Sequence, residues 1–474
     1  MKSNIFKSTA ALYVVAMMCS CSGFLDEGLK GGYTSENFFT TASNAEMAVN
    51  AVYNSMYGNT LWIFTDVASD DAVKGGNAGD QADIDNIDNF SAIADNGCIS
   101  TFWQNTYETI SRANNVIANV AGMDIDKALG DRYIAEAKFF RAYSYFNLVN
   151  IFGRVPLKIV PQNTSEAIHV GLAEVADIYK QIDLDLSEAE AVLPATYSSE
   201  AGRVTKGAAL ALLAKSKLFQ KDYVNCLAAI SKLEENHTYT LEENYADLFK
   251  AGAEDSNESI FAIRYVNNTE VSLGNNLNVW FAPAAEGGYY FNAPTEAYVN
   301  CFTEQTIDSK DDPRLDASIG REGQPWFNGT TFSSQWSEAT GYLVKKFNED
   351  LSTEYAKSQS VIPQHILRYA DVLLMKAEAL NEKNETTLAA VEVDKVRARA
   401  CLAPVAATSQ DELRTIIRNE RRKELGFEFH RFFDVMRYGK AYAESVLGDQ
   451  FKWSEPRFYY PLPQAETDAN NSLK

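Results

Sequence analysis

The chain has 474 residues, with 64 acidic and 43 basic side chains and a formal net charge of -21. A surface this acidic repels phosphate backbones, so we expect no nucleic-acid partner. The length suits one large helical body or two to three average domains. With 24 Tyr, 26 Phe and 6 Trp, the chain has enough rings to line a binding surface as well as a core.

The N-terminus has the pattern of a secretory leader that ends at a cysteine. Lys2 and Lys7 form a positive start, and an apolar stretch follows at residues 8–18. That length is typical of a signal peptide and too short to span a bilayer. The residues before Cys21 resemble a bacterial lipobox, which predicts removal of residues 1–20 and lipidation of Cys21. The alternative is a plain secreted protein with an incidental Cys-Ser-Cys.

Apolar residues recur at helical spacing through much of the chain. Residues 43–46 (Ser-Asn-Ala-Glu) have the pattern of a capping box, which predicts a helix start. Longer helices are predicted over 101–121, 133–152 and 174–193, where glycine or proline closes the last two.

Two later stretches predict antiparallel helix hairpins. The first pairs 206–220 with 223–233, and the second pairs 367–380 with 386–400. Such pairs are similar to tetratricopeptide (TPR) hairpins, which bury their apolar faces by stacking on neighbours. We therefore predict a mostly α fold with a scaffold of stacked TPR-like hairpins.

Residues 236–362 show a different pattern. They are rich in Gly, Asn and aromatic residues and contain one strand-like stretch at 259–265. A segment this long is not an ordinary loop. We predict an irregular, loop-rich subdomain packed on the helices, where binding residues are expected to concentrate.

Five motifs in a fixed order carry a resemblance to a known family. They are FLDE at 24–27; YIAEAKFFRA at 133–142 with FGRVPL at 152–157; RYADVLL at 368–374 with AEALN at 377–381; RNERR at 418–422 with Glu424, Leu425, Glu428, Arg431, Asp434 and Arg437; and YPLP at 460–463. Through these motifs the chain resembles the SusD/RagB family of outer-membrane lipoproteins over nearly its whole length.

The resemblance implies a single SusD-like α superhelix over 21–474, with helical parts at about 40–235 and 363–440 and a C-terminal extension at 441–474. It also implies a lipid anchor in the outer membrane, exposure at the cell surface and a SusC-like TonB-dependent transporter as partner. Members bind a nutrient, usually an oligosaccharide and in some branches a peptide, and pass it to the transporter. They are not enzymes.

Ligand contacts are expected on the loop after the first helix and on the irregular subdomain, where family members differ. Rings can cover the C–H face of a sugar while polar groups bind its hydroxyls. The candidates are Asp70, Asp71, Lys74, Trp280, Tyr289, Tyr290, Trp326 and Trp336, with Phe281 and Phe327 beside them. For any one of these rings, a position in the core is as good an interpretation as contact with a ligand. Trp103, on a periodic helix, is predicted to be core.

The charged stretch at 418–437 is predicted to be a structural ion-pair lattice, because Glu420, Glu424 and Glu428 are spaced four residues apart. The acidic run at 80–88 fits no EF-hand and is predicted to be a solvated loop. No cofactor and no metal site are predicted, although a structural calcium stays open. The cysteines after the leader are predicted to be mostly buried thiols of unspecified redox state, namely Cys98, Cys226, Cys301 and Cys401.

Catalytic motifs are missing from the sequence. The chain has only 4 His, without an HExxH pair, and it lacks the G-x-S-x-G and phosphate-loop patterns. Two carboxylates suffice for a glycoside hydrolase, so that alternative stays open beside a peptide-binding, RagB-like function. The main prediction is a non-enzymatic lipoprotein that binds an oligosaccharide of unspecified identity.

Overall fold

The computed structural model describes residues 38–58, 60–236, 239–268, 270–271, 273–327, 329–349, 357–407 and 409–473. The predicted leader, the lipidation site Cys21 and the motif at 24–27 lie outside these residues. Within the described ranges, no helix is long and apolar enough to cross a membrane.

The N-terminal half is built from helices that pack in sequence. The elements are α1 (Ala42–Asn54), a π-helical turn (Ile63–Val67), β1 (Ala72–Gly75), α2 (Ala82–Asp88), α3 (Gly97–Val120), α4 (Lys127–Phe152), α5 (Thr164–Ala167), α6 (Val175–Val192), α7 (Lys206–Phe219) and α8 (Tyr223–Asn236). Helix α3 packs on α4, α4 on α6, α6 on α7 and α7 on α8. The prediction of a mostly α fold is confirmed.

The middle of the chain consists of short elements. They are 3-10 turns at Tyr245–Phe249, Ala253–Asp255, Ala284–Glu286, Ser334–Trp336 and Lys357–Gln359, helices α9 (Leu277–Phe281), α10 (Glu296–Val299) and α11 (Pro313–Ser318), and strands β2 (Ser259–Ile263), β3 (Phe291–Pro294), β4 (Ile319–Gly320), β5 (Leu343–Val344) and β6 (Gln364–Arg368). Strands β1 and β3, β2 and β6, and β4 and β5 form antiparallel pairs.

The C-terminal part returns to helices. They are α12 (Tyr369–Glu382), α13 (Thr386–Arg399), α14 (Gln410–Leu425), α15 (Arg431–Tyr438), α16 (Lys440–Val446) and α17 (Gln464–Ala469), followed by a 3-10 turn (Asn471–Leu473). Helix α12 packs on α13 and α14 and also on α8, which joins the two helical parts. A single core cluster contains residues of both helical parts and of the middle segment.

The helix periodicity located the long helices, although α3 and α4 begin four and six residues earlier than predicted. Two local predictions are wrong. Helix α1 is capped by Thr41, whose hydroxyl accepts a hydrogen bond from the Asn44 amide at 3.2 Å, so Ser43 lies inside the helix. The acidic run is helix α2 and not a solvated loop. Ile84 and Ile87 are buried on one side of this helix, and a three-residue apolar spacing of that kind favours a helix.

The predicted ion-pair lattice is present and buried. Arg368 lies 2.7 Å from Glu258 and 2.6 Å from both Glu424 and Glu428. Burial alone would raise the pKa of Glu428, but the charges of Arg368 and Lys346 lower that pKa to about 2. These motif residues therefore hold β6 and α14 together.

Within the described residues all four cysteines are free thiols. Cys226 is buried and Cys98 and Cys301 are partly buried, but Cys401 is exposed, so the prediction of a buried thiol is wrong there. Cys401 lies just after α13 with a positive φ of 56°, a left-handed conformation that is common where a helix ends. Trp103 is core as predicted.

Candidate ligand-binding site

Strands β1 and β3 bring together the two regions that the sequence predicted to carry ligand contacts. Gly75 pairs with Phe291, and the Gly76 amide donates to the Tyr290 carbonyl at 3.0 Å. Gly75 has a φ of +73°, and a Cβ there would lie 2.4 Å from the Tyr290 carbonyl oxygen. Only glycine permits this approach, which sets the first loop beside residues 289–291.

The first group of rings is formed by Trp280 and Tyr289. Their centroids are 5.5 Å apart and their planes are inclined by 64°. Trp280 also contacts Phe291 at 5.4 Å and Trp62 at 5.8 Å, so the core fixes its orientation. Tyr289 is 51% exposed. An exposed ring next to a half-buried, immobilised one is an arrangement suited to an amphipathic ligand.

The second group is built on Trp326, which is 6% exposed. Its indole N–H donates to Glu286 Oε1 at 2.9 Å, and Tyr290, Phe327 and Trp336 pack half-buried on the cluster around it. The two groups adjoin at Tyr289 and Tyr290. We call the half-buried and exposed rings, Trp280, Tyr289, Tyr290, Phe327 and Trp336, the aromatic face.

The backbone at the centre of this face is strained. Tyr290 has a φ of 44°, and a bulky side chain rarely adopts this left-handed region. Such conformations persist where the surroundings determine them fully, and they cluster at binding sites. Tyr290 is held on one side by the Gly76 hydrogen bond and on the other by its hydroxyl, which donates to Asn77 Oδ1 at 2.6 Å.

Asn77 and Glu338 are polar neighbours of the face that sequence reasoning did not select. Burial and the carboxylates of Glu338 and Asp80 raise the pKa of Tyr290, so its hydroxyl stays protonated. The Gly-Gly-Asn turn that follows β1 was a usable signal for Asn77, since Asn favours turns. No sequence signal pointed to Glu338, because its position depends on long-range folding.

Asp70 and Asp71 are not available as ligand contacts. Arg431 binds both oxygens of Asp70 at 2.8 Å, and Arg422 Nε lies 2.5 Å from Asp71 Oδ1. The two carboxylate side chains are only 5% and 1% exposed. We remove both residues from the candidates, because their charges are neutralised inside the protein by guanidinium groups of α14 and α15.

Lys74 also has a structural role. Its Nζ donates to the Asp80 carbonyl at 2.7 Å and to the Asn77 carbonyl at 3.2 Å, and it is buried. Its backbone amide donates to Asp88 at 2.8 Å. Lys74 therefore shapes the loop that carries Asn77 and does not face a ligand. Phe281 is likewise core, with an edge contact to Trp62.

A cleft of about 360 Å³ lies elsewhere, between α1, the turn at 200–203 and β2. Its polar groups already have partners: the Tyr57 hydroxyl donates to the Arg264 carbonyl at 2.6 Å, and Arg203 pairs with Glu46 and Glu136. The aromatic face includes an exposed ring, Tyr289, whereas Tyr53 and Tyr57 in the cleft are half-buried. We therefore place the candidate site at the face and keep the cleft as its competitor.

Metal ligation finds no support in the described ranges, where no group of three or more His, Cys, Asp or Glu is placed to hold an ion. Three of the four carboxylates of the acidic run have separate partners. Asp80 binds Lys74, Asp83 accepts from the Gly97 amide at 3.0 Å, and Asp88 accepts from the Lys74 amide.

Comparison with known proteins identifies the families and relatives that this chain is similar to. Two family models match the chain: "Starch-binding associating with outer membrane" over residues 24–218 and "SusD family" over residues 257–474. A SusD-like protein P2 of Formosa agariphila is 28% identical, and the match covers 98% of this chain and 97% of the relative.

Solved structures agree with these matches. A laminarin-binding SusD-like protein is 28% identical with a TM-score of 0.79, and the match covers 91% of this chain and 98% of the other. A SusD-like carbohydrate-binding protein of Bacteroides fragilis is also 28% identical, with a TM-score of 0.81 and coverage of 92% and 100%. With both family models and full-length relatives in agreement, the chain belongs to the SusD/RagB family.

Proposed function

We propose that this protein is a lipid-anchored, glycan-binding protein of the outer membrane that captures an oligosaccharide and delivers it to a SusC-like TonB-dependent transporter. The aromatic face is the observation that carries the proposal. Similar proteins named as laminarin-binding and carbohydrate-binding support it, and the description of the N-terminal family model supports the membrane association.

The chemistry of the face suits a sugar chain. Each pyranose ring has a C–H face that stacks on an aromatic ring and a rim of hydroxyls that donate and accept hydrogen bonds. Trp280 and Tyr289 offer two ring surfaces inclined by 64°, so successive sugars of a bent chain can each meet one ring. Asn77 and the Tyr290 hydroxyl lie beside the rings as hydrogen-bonding groups.

Removal of the rings tests the site. We expect Trp280→Ala and Tyr289→Ala each to weaken binding of a soluble oligosaccharide about tenfold, since a lost ring contact is worth on the order of 1.4 kcal/mol. Laminarin oligosaccharides are the first probe, and isothermal titration calorimetry gives the affinity. Tyr223→Ala, at the start of α8 in the scaffold, is the matched control and keeps wild-type affinity.

The same experiment separates the alternatives. Unchanged affinity in both ring variants, combined with a loss in Arg264→Ala, would move the site to the cleft beside α1. Shorter sugars released during incubation would identify a glycoside hydrolase instead. Binding of peptides without binding of any glycan would support the peptide-binding branch of the family.

The transporter and the anchor need separate evidence. The protein expressed with its leader is expected to copurify with a large outer-membrane barrel after membrane solubilisation. Cys21→Ser removes the predicted lipid attachment site, so this variant is expected to be released from the membrane fraction. A wild-type protein recovered only in the soluble fraction would contradict the anchor.

A further inference from the structure

Carboxylates border the aromatic face. Glu338 is exposed, follows Trp336 of the face by two residues, and lies within electrostatic range of Tyr290. Glu286 is held against the face by the indole N–H of Trp326. Two acidic groups thus border rings on which a ligand would lie, whereas the charge of Asp80 is paired with Lys74.

A third carboxylate lies at the turn that carries Trp336. Glu322 is exposed, and it accepts a hydrogen bond from the Ser334 amide at 2.6 Å. This bond orders the 3-10 turn Ser334–Trp336 and lowers the pKa of Glu322. The carboxylate therefore stays charged at neutral pH and adds to the negative potential of this border.

Of three cations in the same described segments, two are already paired with carboxylates. Lys74 is buried and bound to Asp80, and Arg321 pairs with Asp316. Lys345 Nζ donates to the Pro325 carbonyl at 2.7 Å and lies 5.6 Å from the centre of the Phe327 ring. Lys345 is the one of these three cations without a carboxylate partner, so a negatively charged ligand on the face would meet more carboxylates than unpaired cations.

Charge then decides which sugars fit. A carboxylate accepts hydrogen bonds from the hydroxyls of a neutral sugar, and such charge-assisted bonds are strong. The same carboxylate repels the uronate or sulfate groups of an acidic glycan, so it provides specificity by repulsion. The net charge of -21 for the whole chain adds to this repulsion over longer distances.

We propose that the carboxylate border of the aromatic face makes the site selective for uncharged glycans, with Glu338 as the main residue that excludes acidic ones. This inference rests on the proposed function, since it assigns the class of glycan bound at the same face.

Affinity electrophoresis in gels that contain a single polysaccharide tests the inference. One panel is neutral (laminarin, starch, xylan and mannan) and the other is acidic (alginate, pectate and carrageenan). We expect the wild-type protein to be retarded by a member of the neutral panel and by none of the acidic panel. Glu338→Lys is expected to be retarded by at least one acidic glycan, which corresponds to a gain in affinity of about threefold or more over the wild-type protein. The gain should shrink in higher salt because the effect is electrostatic.

Two further variants keep the result interpretable. Glu338→Gln removes the charge with little change of shape and is expected to give a smaller gain than Glu338→Lys. Glu235→Lys, at an exposed position of α8, changes the net charge by the same amount in the scaffold and is expected to leave the selectivity unchanged. Circular dichroism confirms that each variant is folded.

The outcomes distinguish the two levels of the proposal. Wild-type binding to acidic glycans as strong as to neutral ones would overturn the neutral selectivity and leave glycan binding intact. An equal gain in Glu338→Lys and Glu235→Lys would also overturn it, because net charge alone would then explain the effect. Failure to bind any glycan would overturn both the inference and the proposed function.

Discussion

Several charged side chains of this protein are buried in its interior, and Arg368 is the main example. It is 2% exposed and contacts Glu258, Glu424 and Glu428. A buried guanidinium is costly to desolvate. This cost is offset only because each carboxylate partner is hydrogen-bonded. Arg399 and Lys346 supply the additional positive charge that these carboxylates require.

Removal of this guanidinium is expected to destabilise the fold strongly. Arg368→Met should lower the free energy of unfolding by about 3–5 kcal/mol, since it leaves buried carboxylates without their partner. Arg154→Ala breaks an ion pair whose members are both exposed, and its expected cost is about 0–1 kcal/mol. Urea unfolding followed by circular dichroism measures both. Equal losses in the two variants would show that the lattice does not stabilise the protein.

At the scale of elements, the short pairing of β1 with β3 determines where the binding surface forms. Strand β1 follows the π-helical turn, and β3 follows α9 and the turn that carries Tyr289. Their pairing carries the loop with Asn77 to the rings of the middle segment. The helices provide the rigid support, since Trp280 rests on Trp62 and Phe291.

A methyl group at Gly75 should disturb the pairing of β1 with β3 specifically. Gly75 and Gly79 both have positive φ, +73° and +84°, so alanine is strained at either position. At Gly75 the added Cβ would also meet the Tyr290 carbonyl, whereas nothing lies within 4 Å at Gly79. We expect Gly75→Ala to lose glycan affinity and about 1–3 kcal/mol more stability than Gly79→Ala. Calorimetric titration measures the affinity and thermal unfolding measures the stability. Equal losses in Gly75→Ala and Gly79→Ala would contradict this role of the β1–β3 pairing.

At the scale of the whole molecule, one core unites the helical parts with the middle segment. Core residues of α4, α7, β2 and α15 belong to the same cluster. The buried carboxylates add a charge network across the same interface. Burial would raise the pKa of Asp434, but Arg421 and Arg437 lower it to about 2, as Arg368 and Lys346 do for Glu428.

These shifts predict that the protein loses stability in acid. The folded-state pKa of both carboxyls is below the unfolded value of about 4, so their stabilisation is present above that pH and is lost as the pH falls toward about 2. We expect the melting temperature to fall steeply when the pH is lowered below about 4. Glu428→Gln is expected to be less stable near neutral pH and to show a smaller change with pH. A melting temperature that is constant down to pH of about 3 would contradict the role of these groups.

The sequence by itself determined the long helices and the family, because both depend on local patterns. Apolar spacing and stop signals predicted residues 206–220 and 386–400 as helices, against Lys206–Phe219 and Thr386–Arg399 in the structure. The ion-pair lattice was also predictable, since its glutamates follow one another at helical intervals along α14. The candidate rings were predictable as a set, although their exposure was not.

Only the tertiary structure decided which candidates face solvent. Asp70 and Asp71 are neutralised by arginines 361 and 351 residues away along the chain, and no local pattern reveals such a partner. Trp326 is buried by a cluster that forms around β5, whereas Tyr289 remains exposed. The physical reason is that periodicity reports on neighbours within one helix or strand, while exposure and charge neutralisation depend on contacts between distant segments.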